Sequence, residues 1–269
     1  MSLWKRIMAG GVVILFCSAC SPATTDESSS SPTTEVSPHQ TPEGEQPSEH
    51  VSSSPDESVP SHETTRPSEA SFNPESNHVL VNKQHELEIE DFEPPDLVAL
   101  NVPQQYGGQQ LREEPAVALE ELVADAADDG IELWVTTAYR DFAHQQALYE
   151  QRLAELGQEA ADKFTARPGY SEHQTGLAVD MSFAGNTDCN LRECFAETEQ
   201  GQWLAEHVAR FGFIIRYPEG AESITGYSYE PWHLRYVGVP TAHEVTEQDV
   251  TLEEYWNQPA APDYTADYR

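Results

Sequence analysis

Positive charge is what this chain most lacks: 14 Lys and Arg stand against 47 Asp and Glu in 269 residues, a formal net charge of −33. Nucleic-acid binding needs a concentrated Lys/Arg surface to neutralise phosphates, so that class is excluded. The same charge repels anionic polymers, and any wall or membrane partner has to be held by tethering or by specific contacts, not by long-range attraction. Acidity of this degree also accompanies saline or alkaline habitats, where it says nothing about mechanism. Long apolar runs are missing too. The N-terminal one, Ile7 to Phe16, is about ten residues, roughly half of what a membrane-spanning helix needs. Cysteine is scarce, with four in the chain.

That short run follows Lys5 and Arg6 and leads into Cys17-Ser-Ala-Cys20, the layout of a signal-peptide core. Ser18 and Ala19 before Cys20 resemble a bacterial lipobox, in which the cysteine becomes the lipid-bearing N-terminus; Cys17 stands where Leu is usual. The reading is a signal peptide over 1–19, lipidation at Cys20, and an extracytoplasmic protein anchored at the outer face of a bacterial cytoplasmic membrane. A plain secretory signal is the alternative. Outside the cytoplasm thiols oxidise, and beyond the lipid site only Cys189 and Cys194 remain, so a disulfide between them is expected. Zinc-binding thiolates are the rival, without a second pair to complete their site.

Residues 20–77 are rich in Ser, Pro, Thr and Glu, nearly free of apolar residues, and carry Arg66 as their one basic side chain. Such a stretch cannot bury enough surface to fold and reads as an extended acidic tether. Residues 78–269 are enough for one well-buried core. Within them Glu114 to Asp129 carries Val117, Leu119, Leu122, Val123 and Ala126 on a helical stripe, and Ile131 to Thr137 alternates as a strand. Asp141 can cap a second helix that turns Phe142, Leu148, Leu153 and Leu156 to the core and stops at Gly157. Leu177 to Phe183 reads as a strand and Gly201 to Phe211 as a third helix. Phe213 to Arg216 and Trp232 to Val237 are further strands. Without a repeating strand-helix-strand rhythm, this is an α+β domain: a small, mainly antiparallel sheet flanked by helices.

Ser171-Glu-His-Gln-Thr-Gly-Leu-Ala-Val-Asp180 sets a histidine in a Gly-containing loop and an aspartate on the next strand, facing away from its Leu/Val/Met row. Glu230-Pro-Trp-His233 sets a carboxylate three residues before a second histidine, which shares a face with Arg235. Two His and one Asp suit zinc, with a fourth position left for water. By themselves these residues leave a metal site and merely structural histidines both open. His144 and His207, in the helices, read as solvated or packing residues.

The strings SEHQTGLAVD and EPWHLRYVG, preceded by AYRDFAHQ and by HVLVNKQHELEIEDFEPPDLV, closely resemble the VanY-type zinc D-alanyl-D-alanine carboxypeptidases over about residues 78 to 240. The resemblance implies one Zn2+ per chain held by His173, Asp180 and His233, with Glu230 as general base and Arg140 on the oxyanion or the substrate carboxylate. It implies that Gln145 and Ser171 help to hold that carboxylate. Asp141 and Phe142 stand where Ser and Tyr are common, and the CNLREC insert matches no motif of the family. A guanidinium fork suits a free terminal carboxylate, which favours a carboxypeptidase over an endopeptidase. The expected partners are peptidoglycan stem peptides and, through the lipid, a membrane; a monomer is expected. Alternatives are an L,D-carboxypeptidase acting on tetrapeptide stems and a non-catalytic zinc-stabilised wall-binding module, against which Glu230 counts.

Overall fold

The computed structural model describes residues 69–268 apart from 88 and 90. The signal peptide, Cys20 and the tether up to residue 68 lie outside the described residues. Residues 69–77, which composition assigns to the tether, pack on the domain instead: Ser71 N–H donates to the His78 carbonyl at 2.9 Å and Leu80 N–H to the Ser71 carbonyl at 2.8 Å. Hydrogen bonds hold this stretch, which has little apolar surface of its own.

Two short strands, β1 (Leu97–Ala99) and β2 (Gln110–Arg112), form an antiparallel ribbon and lead into helix α1 (Glu113–Asp128). Helix α1 buries Leu119, Leu122, Val123 and Ala126, as the stripe implies, but Val117 is 53% exposed. At 3.6 residues per turn, Val117 lies about 200° around the axis from Leu119, outside the buried stripe. Strand β3 (Trp134–Thr137) starts later than the alternation suggests, since Ile131 N–H is taken by the Ala126 carbonyl at the end of α1. Asp141 caps α2 (Phe142–Leu156), its Oδ1 accepting from His144 N–H at 2.7 Å. The inward face of α2 is the expected one except at Leu156, which is exposed: Phe142, Leu148 and Leu153 are half-buried, and Gln145 and Tyr149 are the residues buried deepest. Those two deepest positions anchor polar groups, with Tyr149 donating to Asp162 at 2.7 Å.

Helix α3 (Gln158–Phe164) and a 3₁₀ turn (Glu172–Thr175) precede β4 (Ala178–Ser182). The segment after β4 holds the Cys189–Cys194 disulfide, with Cα atoms 5.3 Å apart. Helix α4 (Glu199–His207) continues as a 3₁₀ turn to Phe211, and then come β5 (Phe213–Ile215), α5 (Glu222–Thr225) and β6 (His233–Tyr236). Helices α6 (Val239–Gln248) and α7 (Leu252–Tyr255) follow, the latter with a reciprocal Thr251/Glu254 capping box.

The main sheet has the order β3-β4-β6-β5, all pairs antiparallel. Leu177, Val179, Met181 and Leu234 turn to a core shared with α1 and α4, while the opposite face carries the polar cluster described next. Among the described residues no helix is long and apolar enough to cross a membrane.

Candidate metal centre

The register of β4 against β6 sets Asp180 directly opposite His233, and that of β3 against β4 sets Thr137 opposite Asp180. Paired residues project to one face of a sheet. The 3₁₀ turn before β4 brings His173 over this face. It closes at Gly176, whose φ of +67° is left-handed and whose missing Cβ would stand 3.0 Å from Arg112 and 3.1 Å from Leu97. His173, Asp180 and His233 are all buried, and donor atoms of the three lie within 4.8 Å of one another. The imidazole rings stand nearly perpendicular, with centroids 5.0 Å apart.

Hydrogen bonds decide which ring atoms face inward. A carbonyl oxygen only accepts, so His173 Nδ1–H donates to the Ala138 carbonyl at 2.7 Å and leaves Nε2 turned to Asp180 Oδ2 at 3.3 Å. His233 is arranged the other way: Nε2–H meets Glu172 Oε2 at 3.3 Å, and Nδ1 faces Asp180 Oδ1 at 3.0 Å. A neutral ring with Nε2 protonated would confront the Asp180 carboxylate lone pair to lone pair, so a proton or a metal ion belongs between them. Burial opposes charge on His233, but its bonds to Asp180 and Glu172 outweigh that and push its pKa up to about 10. Burial likewise opposes the Asp180 carboxylate, yet the two histidines hold it well below the usual carboxylate range. Two imidazole nitrogens and one carboxylate oxygen, convergent and buried, fit zinc with a position to spare.

Glu230 precedes β6, its backbone N–H bonded to the Tyr217 carbonyl, and its Oε2 lies 4.0 Å from His233 Nδ1. Burial pushes its carboxyl up to about 8; the charge of His233 opposes the rise and Asp180 adds to it. Arg140 is fastened beside His173, its N–H donating to the His173 carbonyl at 3.2 Å. Its Nη1 donates to Gln145 Oε1 at 2.6 Å, and Gln145 Nε2 donates to the Ala166 carbonyl at 2.6 Å. Both ends of the fully buried Gln145 amide are thus engaged, and the structure places it behind Arg140 as the group that holds the guanidinium. Ser171 is buried at the start of the 3₁₀ turn and makes no side-chain cap bond there. His144 is exposed, and His207 packs on Trp203; neither joins the cluster.

Motif reading passed over the groups behind the donors. Tyr217 stacks on the His233 ring with centroids 5.0 Å apart. Glu172 Oε1 accepts from Arg216 Nε at 2.8 Å and from Arg235 Nη1 at 2.7 Å. Arg216 in turn grips Glu253 with both terminal nitrogens, at 2.9 and 2.7 Å. One signal was available: Arg216 ends an otherwise apolar strand, and a guanidinium inside a core requires a buried carboxylate. Two surface clefts of about 480 and 360 Å3 lie elsewhere, with no member of the donor cluster in their walls.

Residues 108–239 match the VanY family, described as D-alanyl-D-alanine carboxypeptidase. The bifunctional D-Ala-D-Ala dipeptidase and carboxypeptidase VanXYC of Enterococcus gallinarum is 40% identical over 179 residues, covering 65% of this chain and 91% of that protein. The solved structure of the LD-carboxypeptidase LdcB is 40% identical, with a TM-score of 0.65 over 69% of this chain and 88% of its own. A mutant of the vancomycin-resistance D,D-pentapeptidase VanY, solved with Zn(II), is 33% identical, with a TM-score of 0.53 over 69% of this chain and 99% of its own.

Proposed function

The chain belongs to the VanY family of D-alanyl-D-alanine carboxypeptidases, and on that premise we propose that it removes the terminal D-alanine of peptidoglycan stem peptides with His173, Asp180 and His233 around one zinc ion. The observation that carries this reading is the meeting of those three donors with Glu230 and Arg140 on one face of the sheet. His173, Asp180 and His233 would hold the ion, which would supply Lewis acidity toward water and the scissile carbonyl.

The chain's own groups do the rest. Glu230, beside His233 and not one of the three donors, accepts as carboxylate the proton of the attacking water and returns it to the leaving D-alanine amine. Arg140, braced by Gln145, offers its remaining N–H groups to the terminal carboxylate, and a planar fork sets the position and orientation of that group together. Gln145 in this scheme positions Arg140, and Ser171, two residues before His173, helps to hold the terminal carboxylate.

A second reading has support of its own: the 40% identity to an LD-carboxypeptidase favours action on tetrapeptide stems, where the bond cut follows an L-centre. Incubating the protein with pentapeptide and tetrapeptide stems and identifying the product separates the two. D-alanine release from the pentapeptide alone supports the D,D reading, and release from the tetrapeptide alone replaces it.

The N-terminal readings extend the proposal to location. Lipidation at Cys20 would anchor the chain outside the cytoplasm, with residues up to 68 as a spacer toward the wall, acting as a monomer. Cys20→Ser should free the protein from the membrane fraction; unchanged fractionation and lipid labelling would leave a plain secretory signal.

A further inference from the structure

Among the described residues, the most deeply buried charges sit behind His233. The side chains of Glu172, Arg216, Arg235 and Glu253 have no solvent exposure, and together they are electrically neutral. Arg235 Nη2 also donates to the carbonyls of Val79 at 2.7 Å and Asn77 at 3.1 Å, while Asn82 Nδ2 donates to Glu253 Oε1 at 2.9 Å. The segment His78–His85, part of the motif string HVLVNKQH, is thereby joined to helix α7 and to the centre of the sheet.

Buried ion networks of this kind are weak stabilisers compared with apolar side chains of the same volume. This one leaves its circle at one catalytic-face atom, His233 Nε2, through Glu172 Oε2. A ligand imidazole is free to turn about its χ angles, and a carboxylate on its far nitrogen fixes both the tautomer and the ring orientation.

We propose that Glu172 is a positioning residue of the metal centre: its carboxylate, clamped by Arg216 and Arg235, fixes His233 with Nδ1 toward the metal position. This rests on the zinc reading above. Glu172 acts through His233.

The test uses the full chain and zinc competition against a chromogenic chelator. Glu172→Asp keeps a charge between the two arginines but withdraws the carboxylate by one methylene, and zinc affinity should fall about 10- to 100-fold. Glu253→Gln disturbs the same network without touching the Glu172–His233 contact, so it should lower the thermal midpoint and leave zinc affinity about unchanged. Wild-type affinity in Glu172→Asp, or an equal loss in Glu253→Gln, overturns the proposal. Should neither variant fold, a long-range 1H–15N spectrum of the zinc-loaded wild type decides: His233 protonated at Nε2 supports the proposal, and His233 bound to metal through Nε2 overturns it. A wild type that binds zinc with these differences but releases no D-alanine fails the functional reading and leaves the positioning role standing.

Discussion

Asp180 and His233 are direct register partners across the β4–β6 pair, with Oδ1 3.0 Å from Nδ1. Backbone hydrogen bonds on both sides hold that separation, so two of three donors are fixed by the sheet before any metal arrives. His173 is set independently by its 3₁₀ turn and its bond to Ala138. Three donors leave no redundancy, and His173→Ala, Asp180→Ala and His233→Ala should each severely weaken zinc binding. Metal analysis of the purified variants checks this; stoichiometric zinc in all three would remove the site assignment.

Glu230 lies beside the donors but is not among the three. Glu230→Gln keeps size and loses the proton acceptor, so D-alanine release should drop by about 10²–10⁴ while zinc content and folding stay near wild type. Equal turnover at matched zinc occupancy would falsify the role of base.

How far the site could be read from the sequence depended on the kind of signal. Period-two alternation placed Asp180 and His233 on the face away from Leu177, Val179 and Leu234, and the structure has them there. Capping chemistry located α2, because Asp141 and Gly157 act through local backbone bonds. The deepest positions of α2 have no apolar signal, since Gln145 and Tyr149 are buried for their hydrogen bonds while Phe142, Leu148 and Leu153 beside them are half-buried. Glu172 was passed over although it adjoins His173: what makes it part of the site is contact with Arg216 and Arg235, 44 and 63 residues away. Such long-range pairing has no local pattern.

Arg140 and Gln145 form the clearest pair for a specificity test. Arg140→Lys retains charge without the fork and should impair stems with a free terminal carboxylate more than amidated stems. Gln145→Ala removes the acceptor from Arg140 Nη1 and strands the Ala166 carbonyl, losses of about 1–3 kcal/mol each when buried. It should therefore raise KM for free-carboxylate stems. Comparing kcat/KM on free and amidated substrates measures both effects; the same loss on both would show that Arg140 does not read the terminal group.

Acid should attack the domain through the buried network. Burial alone would raise the Glu253 carboxyl, but the charge of Arg216 and hydrogen bonds from Arg216 and Asn82 outweigh it and hold the group below its ordinary 4.5. A carboxyl depressed on folding adds stability above its unfolded pKa, and that share is lost as pH falls through about 4.5 toward the folded value. Glu172 is depressed in the same direction by Arg216 and Arg235 against its own burial, so the two should act together. In Glu253→Gln the titrating group is gone and Arg216 loses one of its two charged partners. At pH 6 that variant should be less stable by roughly 3–5 kcal/mol, the usual cost of breaking a buried pair. Its stability should then fall less than that of the wild type between pH 6 and 3, so the two curves converge in acid. Thermal or denaturant unfolding across that range, in chelator to remove the metal contribution, measures both slopes. Parallel curves for the two proteins would mean that Glu253 does not couple protons to folding.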